Sequence, residues 1–378
     1  MEDIEDFVKQ LLNAINERVK GLQKLNLLVV GRTGVGKSTL INTVFKENFA
    51  KTGVGKPVTT EIRNYTKPGY PLSLYDTPGF EMGEEQREKV INDIQEIINN
   101  GKDPTNLNEY IHCIWYCINP NTSRFDPVEE KWLRSLTDNN ITQRVPIIIV
   151  LTQASIKSKA QELKREIEKL NLNISNIVPV LACKQAIDDE YTAKPYGLET
   201  LINTTFNILP DYLHETLNHI QVVSLDMKIS DSRKAVIAAA SAAALAAATP
   251  IPFSDAFALV PIQITMIATI TSIFGIDLSK AVITSLLTSA LGTATATIAG
   301  KQLVIALLKL IPGAGSVVGG AISAATAGTL TTALGEAYIQ IMKLLYDGKI
   351  TNEELETEKG RQLFIEAFKE QSGKVLPK

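Results

Sequence analysis

In the run "GRTGVGKST", residues 31–39, glycines at 31 and 36 and a lysine–serine pair at 37 and 38 have the spacing that wraps a backbone around a phosphate. Gly31, Gly34 and Gly36 let the chain curl, so that the N–H groups of Arg32, Thr33, Val35 and the glycines face phosphate oxygens. Lys37 then reaches the terminal phosphates, the Ser38 hydroxyl can ligate Mg2+ at a helix N-terminus, and Thr39 completes the loop's set of binding residues. The apolar run "LNLLVV" precedes the loop and a helix opening near Lys37 follows it, which is the context this chemistry requires.

A second group lies downstream in "LSLYDTPGF", where Asp76 closes an apolar run and Thr77, Pro78 and Gly79 follow. A carboxylate there can hold Mg2+ through water, and the Gly79 amide can meet a γ-phosphate; standing alone, the four residues would read as a turn. Between the two motifs, "GKPVTTEI" offers Thr59 or Thr60 as a hydroxyl that closes over the metal, Thr59 by preference. The competing reading makes them two β-branched residues that open a strand. The metal set is then Ser38, Thr59 and Asp76.

The elements that must position these groups are legible in the hydrophobic pattern. Up to about residue 230, short apolar runs ("LSLYD", "IHCIWYCIN", "VPIIIVLT", "IVPVLA") alternate with charged helical stretches. That rhythm predicts strands and crossover helices of a mostly parallel sheet. From 235 to 335 the only charges are Asp255, Asp277, Lys280, Lys301 and Lys309, amid Ala, Gly, Thr and Ile. The predicted class is therefore an α/β domain plus an all-α hydrophobic helical domain, closed by a charged helical pattern from about 340 to 378. The apolar residues of the first 24 positions (Ile4, Phe7, Val8, Leu11, Leu12, Ile15, Val19, Leu22) recur at helical spacing. They predict an amphipathic helix, not a signal peptide, that packs on the helical domain. The domain plan is 1–24, 25–212 and 213–378.

Composition excludes several classes. A net charge of −3 and no basic stretch interleaved with aromatics argue against a nucleic-acid partner. Three cysteines and three histidines support neither a disulfide framework nor a zinc site. Cys113 and Cys117 are expected to pack as small apolar residues, in keeping with a reducing cytoplasm.

The order of these motifs resembles the translation-factor-related GTPases, in particular the Era, septin and immunity-related branches, over roughly residues 25–212. The resemblance implies a six-stranded sheet whose antiparallel edge strand is "TEIRNYTK" beside "PLSLYD". It also implies GTP and GDP with Mg2+ as ligands, and GTP hydrolysis as the activity. Phe80 stands where many relatives carry a water-orienting glutamine, so no catalytic glutamine is assignable. In such proteins hydrolysis often relies on a group supplied across a nucleotide-dependent dimer, and Arg32 and Arg63 are the candidates here. A homodimer or higher homo-oligomer is expected.

The family writes T-K-x-D after the fifth strand, where the aspartate accepts two hydrogen bonds from guanine; here the residues are Thr152, Gln153, Ala154 and Ser155. Gln153 can cover the base, whereas Ser155 in the aspartate's place accepts only weakly. The family's last motif is represented by "ACK", with the Cys183 amide toward the guanine oxygen and Lys184 over the base. GTP with weakened base specificity is the reading; the alternative is that "TQAS" is only a loop.

Charge-free stretches at 235–254, 256–276, 281–300 and 310–335 each approach the ~20 residues that cross a bilayer as helix. "PIPFSDAFALV" predicts a helical hairpin, with Pro250 and Pro252 ending one helix and Ser254 or Asp255 capping the next. Gly315 and Gly319 form a G-x-x-x-G. This pattern, similar to that of bacterial GTPases with a hydrophobic C-terminal helical domain, predicts a cytoplasmic protein at or in a membrane, with lipid as a partner. Its many Ser and Thr, and the absence of Trp and Tyr from 235 to 337, favour a soluble bundle instead. Two functions stand against each other: a GTP-hydrolysing switch that dimerises through its nucleotide face, and a nucleotide-gated binding module with negligible turnover.

Overall fold

The computed structural model describes residues 4–45, 62–77, 84–100, 110–121, 127–138, 145–187, 190–248, 251–252, 258–289 and 321–375. Thr59, Thr60, Gly79, Phe80, Pro250, Ser254, Asp255, Gly315 and Gly319 lie outside them. The chain forms two compact units, one of Leu22–Ser224 and one joining Met1–Gly21 to Leu225–Lys378. Residues 213–224 thus fall with the sheet rather than with the helices.

The first unit is built on a six-stranded sheet. Helix α1 (Ile4–Lys20) belongs to the other unit; here β1 (Leu25–Gly31) leads into α2 (Lys37–Val44), and β2 (Arg63–Lys67) turns at Gly69 into β3 (Tyr70–Asp76). There follow α3 (Glu84–Asn100), β4 (Cys113–Ile118), α4 (Pro127–Asp138), β5 (Ile147–Leu151), α5 (Lys157–Lys169), β6 (Asn176–Pro179), α6 (Leu198–Ile208) and α7 (His214–Ile220). The spatial order is β2-β3-β1-β4-β5-β6, with β2 antiparallel to β3 and every other pair parallel. The expected edge hairpin is present, with Asn64 opposite Tyr75 and Tyr65 opposite Leu74. The two inner strands β1 and β4 are buried at every residue, which is why they read as unbroken apolar runs rather than as alternation. Cys113 and Cys117 are fully buried in β4. Burial pushes the Cys117 thiol up to about 12, against the pull of the nearby Lys37 ammonium, so it stays protonated and inert.

One buried histidine ties β1 to the segment before β4. The Asn26 amide donates to His112 Nδ1 at 3.0 Å, and the His112 amide donates to the Asn26 carbonyl at 2.9 Å. Burial lowers the His112 pKa from 6.5 to about 4. The unfolded chain protonates this ring between those values while the native state does not. Stability is therefore full above pH 6.5 and is lost as the pH falls toward 4, by about 3 kcal/mol. Urea midpoints recorded from pH 7 to 4 should decline, and His112→Gln should flatten that decline; parallel curves for the two proteins would refute the linkage.

The second unit packs α1, α8 (Leu225–Ala246), α9 (Val260–Phe274), α10 (Lys280–Ser289), α11 (Ala324–Tyr346), α12 (Asn352–Leu355) and α13 (Glu358–Val375) around one core. Phe7, Val8 and Leu11 of α1 are buried in it beside Ile264, Ile267 and Ile270 of α9. Helix α9 is the central element and almost every residue from Ile264 to Phe274 is buried. Gly335 of α11 allows this packing, since a methyl group there would meet Val236 Cγ2 at 2.5 Å and Met266 Sδ at 2.9 Å. Gly275, at φ 65°, terminates α9, and the buried Lys228 ammonium donates to its last carbonyls, Ile273 at 3.0 Å and Phe274 at 3.1 Å.

For one of the charge-free stretches the structure gives a shorter helix than the sequence reading. The stretch 256–276 becomes a helix of only 15 residues that begins at Val260, beyond Asp255, with Pro261 in its first turn. Pro252 sits in a two-residue antiparallel pairing, Ile251–Pro252 against Ala321–Ile322. Among the described residues no helix is long and apolar enough to cross a membrane.

Candidate functional site

In a parallel sheet with helices on its faces, the loops leaving the carboxyl ends of the strands gather at one edge. Here β1, β3, β4, β5 and β6 deliver residues 31–37, 76–77, 119–121, 152–155 and 180–185 there. The phosphate-type loop has the backbone its glycines permit. Gly34 and Gly36 take φ of 79° and 98°, where side chains are strained, and a Cβ on Gly31 would strike the Cys117 carbonyl. Gly36 is the residue from which α2 departs, with no side-chain cap on its first turn, so the helix presents amide donors at its start.

Lys37 is buried and folds back over the loop, donating to the Gly31 carbonyl at 2.7 Å and the Arg32 carbonyl at 3.2 Å. Its ammonium stands 4.0 Å from the carboxylate of Asp76, itself buried at the end of β3. Two motifs some forty positions apart in sequence therefore converge into a charged pair. The Thr77 amide continues the strand onto the Val29 carbonyl at 3.2 Å, which fixes Asp76 beside β1. Ser38 and Thr39 are half-buried in the first turn of α2. Arg32 and Thr33 are likewise half-buried, and Val35 packs inward.

A cleft of about 170 Å3 opens beside the loop, and Gly36, Thr39 and Leu40 form one of its walls. Thr152 and Gln153 form the second, and residues 180–185, including Cys183 and Lys184, the third. The two motifs expected to flank a base thus face one space. Gln153 has φ 51°, and its Nε2 donates to the Gly34 carbonyl at 2.7 Å. The same side chain accepts from Asn119 Nδ2 at 3.3 Å, which latches the base-side loop to the phosphate-side loop. Ser155 is not among the residues that line the cleft. Its hydroxyl takes Asn121 Nδ2 at 3.3 Å, while the same Asn121 group donates to the Gln153 carbonyl at 2.6 Å.

The residues missed in the sequence are Asn119 and Asn121 in "INPN" and Leu181 and Gln185 on the cleft wall. Their signal was positional: "INPN" ends an apolar strand, and polar residues at a strand's carboxyl end collect at the site edge. Among the described residues no cluster of His, Cys, Asp and Glu could hold a metal by itself. The donor set fits Mg2+ only in company with phosphate oxygens, since Ser38 and Asp76 are hard oxygen ligands and too few for a closed cage.

A family model described as a 50S ribosome-binding GTPase matches residues 26–170, and one described as a domain of unknown function (DUF697) matches residues 219–363. Neuronal-specific septin-3 of Mus musculus is 26% identical over 188 residues, covering 44% of this chain and 53% of the septin. The chain thus spans about half the length of the curated relatives it matches. Era of Aquifex aeolicus, solved with GDP and AlF4−, is 20% identical with a TM-score of 0.36, covering 50% of this chain and 58% of that one. Toc33 of Arabidopsis thaliana, solved with GDP and Mg2+, is 18% identical with a TM-score of 0.35, covering 53% and 90%. The sheet unit carries a P-loop GTPase domain, and the helices that follow it fit the second family.

Proposed function

We propose that this protein is a Mg2+-dependent GTPase that works as a switch, is completed by a second copy of itself at the nucleotide face, and rests its helical unit on a lipid surface. The observation that carries the reading is the meeting of Lys37 and Asp76 at 4.0 Å within a glycine-built loop. When bound, Mg2+ supplies charge neutralisation to the transferring phosphoryl group. The chain's own residues do the rest. Lys37 exchanges two main-chain carbonyls for phosphate oxygens, Ser38 and Asp76 supply the protein side of the metal's shell, and the loop amides fix the remaining oxygens.

Self-association draws support from the hairpin that starts at the cleft residue Gln185. It exposes two large apolar side chains, Ile187 and Tyr191, the latter at 60% exposure, next to the nucleotide face. A lipid contact draws support from α8, whose charge-free half turns Ile237 and Leu245 outward at 67% and 76% exposure. The net charge of −3 gives no electrostatic ground for a nucleic-acid partner.

The deciding measurement is GTP turnover per molecule as a function of protein concentration. Specific activity should climb severalfold with concentration, and Tyr191→Asp should flatten the climb while leaving nucleotide affinity intact. A turnover that is negligible at every concentration, with tight binding, would instead favour a nucleotide-gated binding module. Flotation with liposomes tests the lipid contact: full-length protein that stays at the bottom of the gradient with GTP, with GDP and without nucleotide would remove it.

A further inference from the structure

We infer that the strap Gln221–Ser224, by which the chain leaves the sheet unit, senses occupancy of the phosphate loop and tightens when a nucleotide fills it. The inference rests on the nucleotide reading above and adds a regulatory element to it.

The strap caps the phosphate-loop helix at its far end. The last carbonyls of a helix have no partner within it, and that of Val44, the final residue of α2, accepts the Val222 amide at 2.9 Å. Phe45 and Gln221 are joined beside it in an antiparallel bridge, and the Phe45 ring stacks on Trp115 with centroids 5.9 Å apart. With its eight residues, α2 sets this cap about 12 Å from the loop.

The strap itself is closed by one side chain. Gln221 is fully buried; its Oε1 accepts the Val223 and Ser224 amides at 2.6 and 2.7 Å, and its Nε2 donates to the Ser224 carbonyl at 2.9 Å. Leu225, the next residue, opens α8. Helix α7, which ends just before the strap, also holds the other passage of the chain between the units: the Thr216 hydroxyl donates to the Gln23 carbonyl at 2.7 Å. The Tyr70 hydroxyl, from the start of β3, fixes the end of α7 by donating to the Ile220 carbonyl at 3.0 Å.

Occupancy at one end of α2 bears on the bond at the other. The Gly36 end carries no side-chain cap, so a phosphate there satisfies the amides of the first turn and opposes the positive end of the helix dipole. Hydrogen bonds in series polarise one another, so an anion at the first turn makes the Val44 carbonyl a stronger acceptor for Val222.

Hydrogen exchange of the full-length protein, with and without GDP and Mg2+, tests this without turnover. GDP should slow the amides of 31–44 and also those of 222–224, the latter by roughly fivefold or more, the lower end of ordinary coupling between sites. Unchanged exchange at 222–224 with GDP bound, as measured by calorimetry, overturns the inference and leaves the nucleotide reading intact. No GDP binding at all removes the nucleotide site itself, and the proposed function with it. Val222→Pro deletes the donor to Val44 with little other change, since Val222 is exposed and Gln221, at φ −82° and ψ 149°, already has the backbone of a residue before proline. In this variant GDP should bind severalfold more weakly, by reciprocity, and the slowing of Val223 and Ser224 should vanish. A strap with a structural role alone would lose stability and leave GDP affinity and the slowing unmoved, which overturns the inference. The wild-type comparison decides by itself where the variant does not fold.

Discussion

Lys37→Ala is expected to weaken Mg2+–GTP binding by at least a hundredfold. In the folded chain the ammonium is buried and satisfied by the Gly31 and Arg32 carbonyls, so it is already desolvated and held in place. Two hydrogen bonds from such a group to phosphate oxygens contribute on the order of 3–6 kcal/mol, or 10²–10⁴ in affinity. The truncation also leaves Asp76 buried at the end of β3 without the cation 4.0 Å away, so some loss of stability should accompany the loss of binding. Circular dichroism and a thermal melt must therefore accompany the titration. A variant that is folded and still binds GTP with unchanged affinity would remove the phosphate loop from the site.

The phosphate side of the site was legible because its chemistry is local. Gly31, Gly36, Lys37 and Ser38 lie within eight positions, and backbone curl and helix start both follow from residue type. Asp76 was legible for a related reason, since it ends a mostly apolar run and so marks the carboxyl end of a strand. The parallel sheet and the burial of Cys113 and Cys117 followed from the same apolar rhythm, whereas the edge hairpin followed from the family resemblance.

The base side was less legible, because it depends on pairings between distant loops. Reading "TQAS" by position suggested Ser155 as a base contact, but Asn121 from the neighbouring strand end claims its hydroxyl. Gln153 was expected over a base and in the structure spans to Gly34 instead. Nothing in the local composition of either segment predicts that exchange; it needs the strand order that sets β4 beside β5. The charge-free stretch around α9 is ambiguous for a physical reason as well. A helix apolar on every side is the signature of a bilayer span and equally of a helix walled in by other helices, and composition alone does not separate them.

Ile267→Lys with Ile270→Lys separates those two environments and should have the second large effect. Ile270 is fully buried and Ile267 6% exposed, in a core they share with α1, α8 and α11. Both side chains belong to one buried hydrophobic cluster. Each lysine must then bury an uncompensated ammonium or expel α9 from its neighbours, at a cost of several kcal/mol per charge. Total stabilities of about 5–15 kcal/mol leave little to absorb two such changes, so the helical unit should unfold. The expected result is a lower helical signal at 222 nm and aggregation of the purified protein, with or without lipid. Ile237→Lys with Leu245→Lys, on the outward face of α8, should leave the helical signal unchanged and act only on flotation with liposomes. If the α9 double variant instead stayed monodisperse and fully helical and lost only its lipid binding, Ile267 and Ile270 would face a bilayer, and the packing of α9 at the centre of the unit would be wrong.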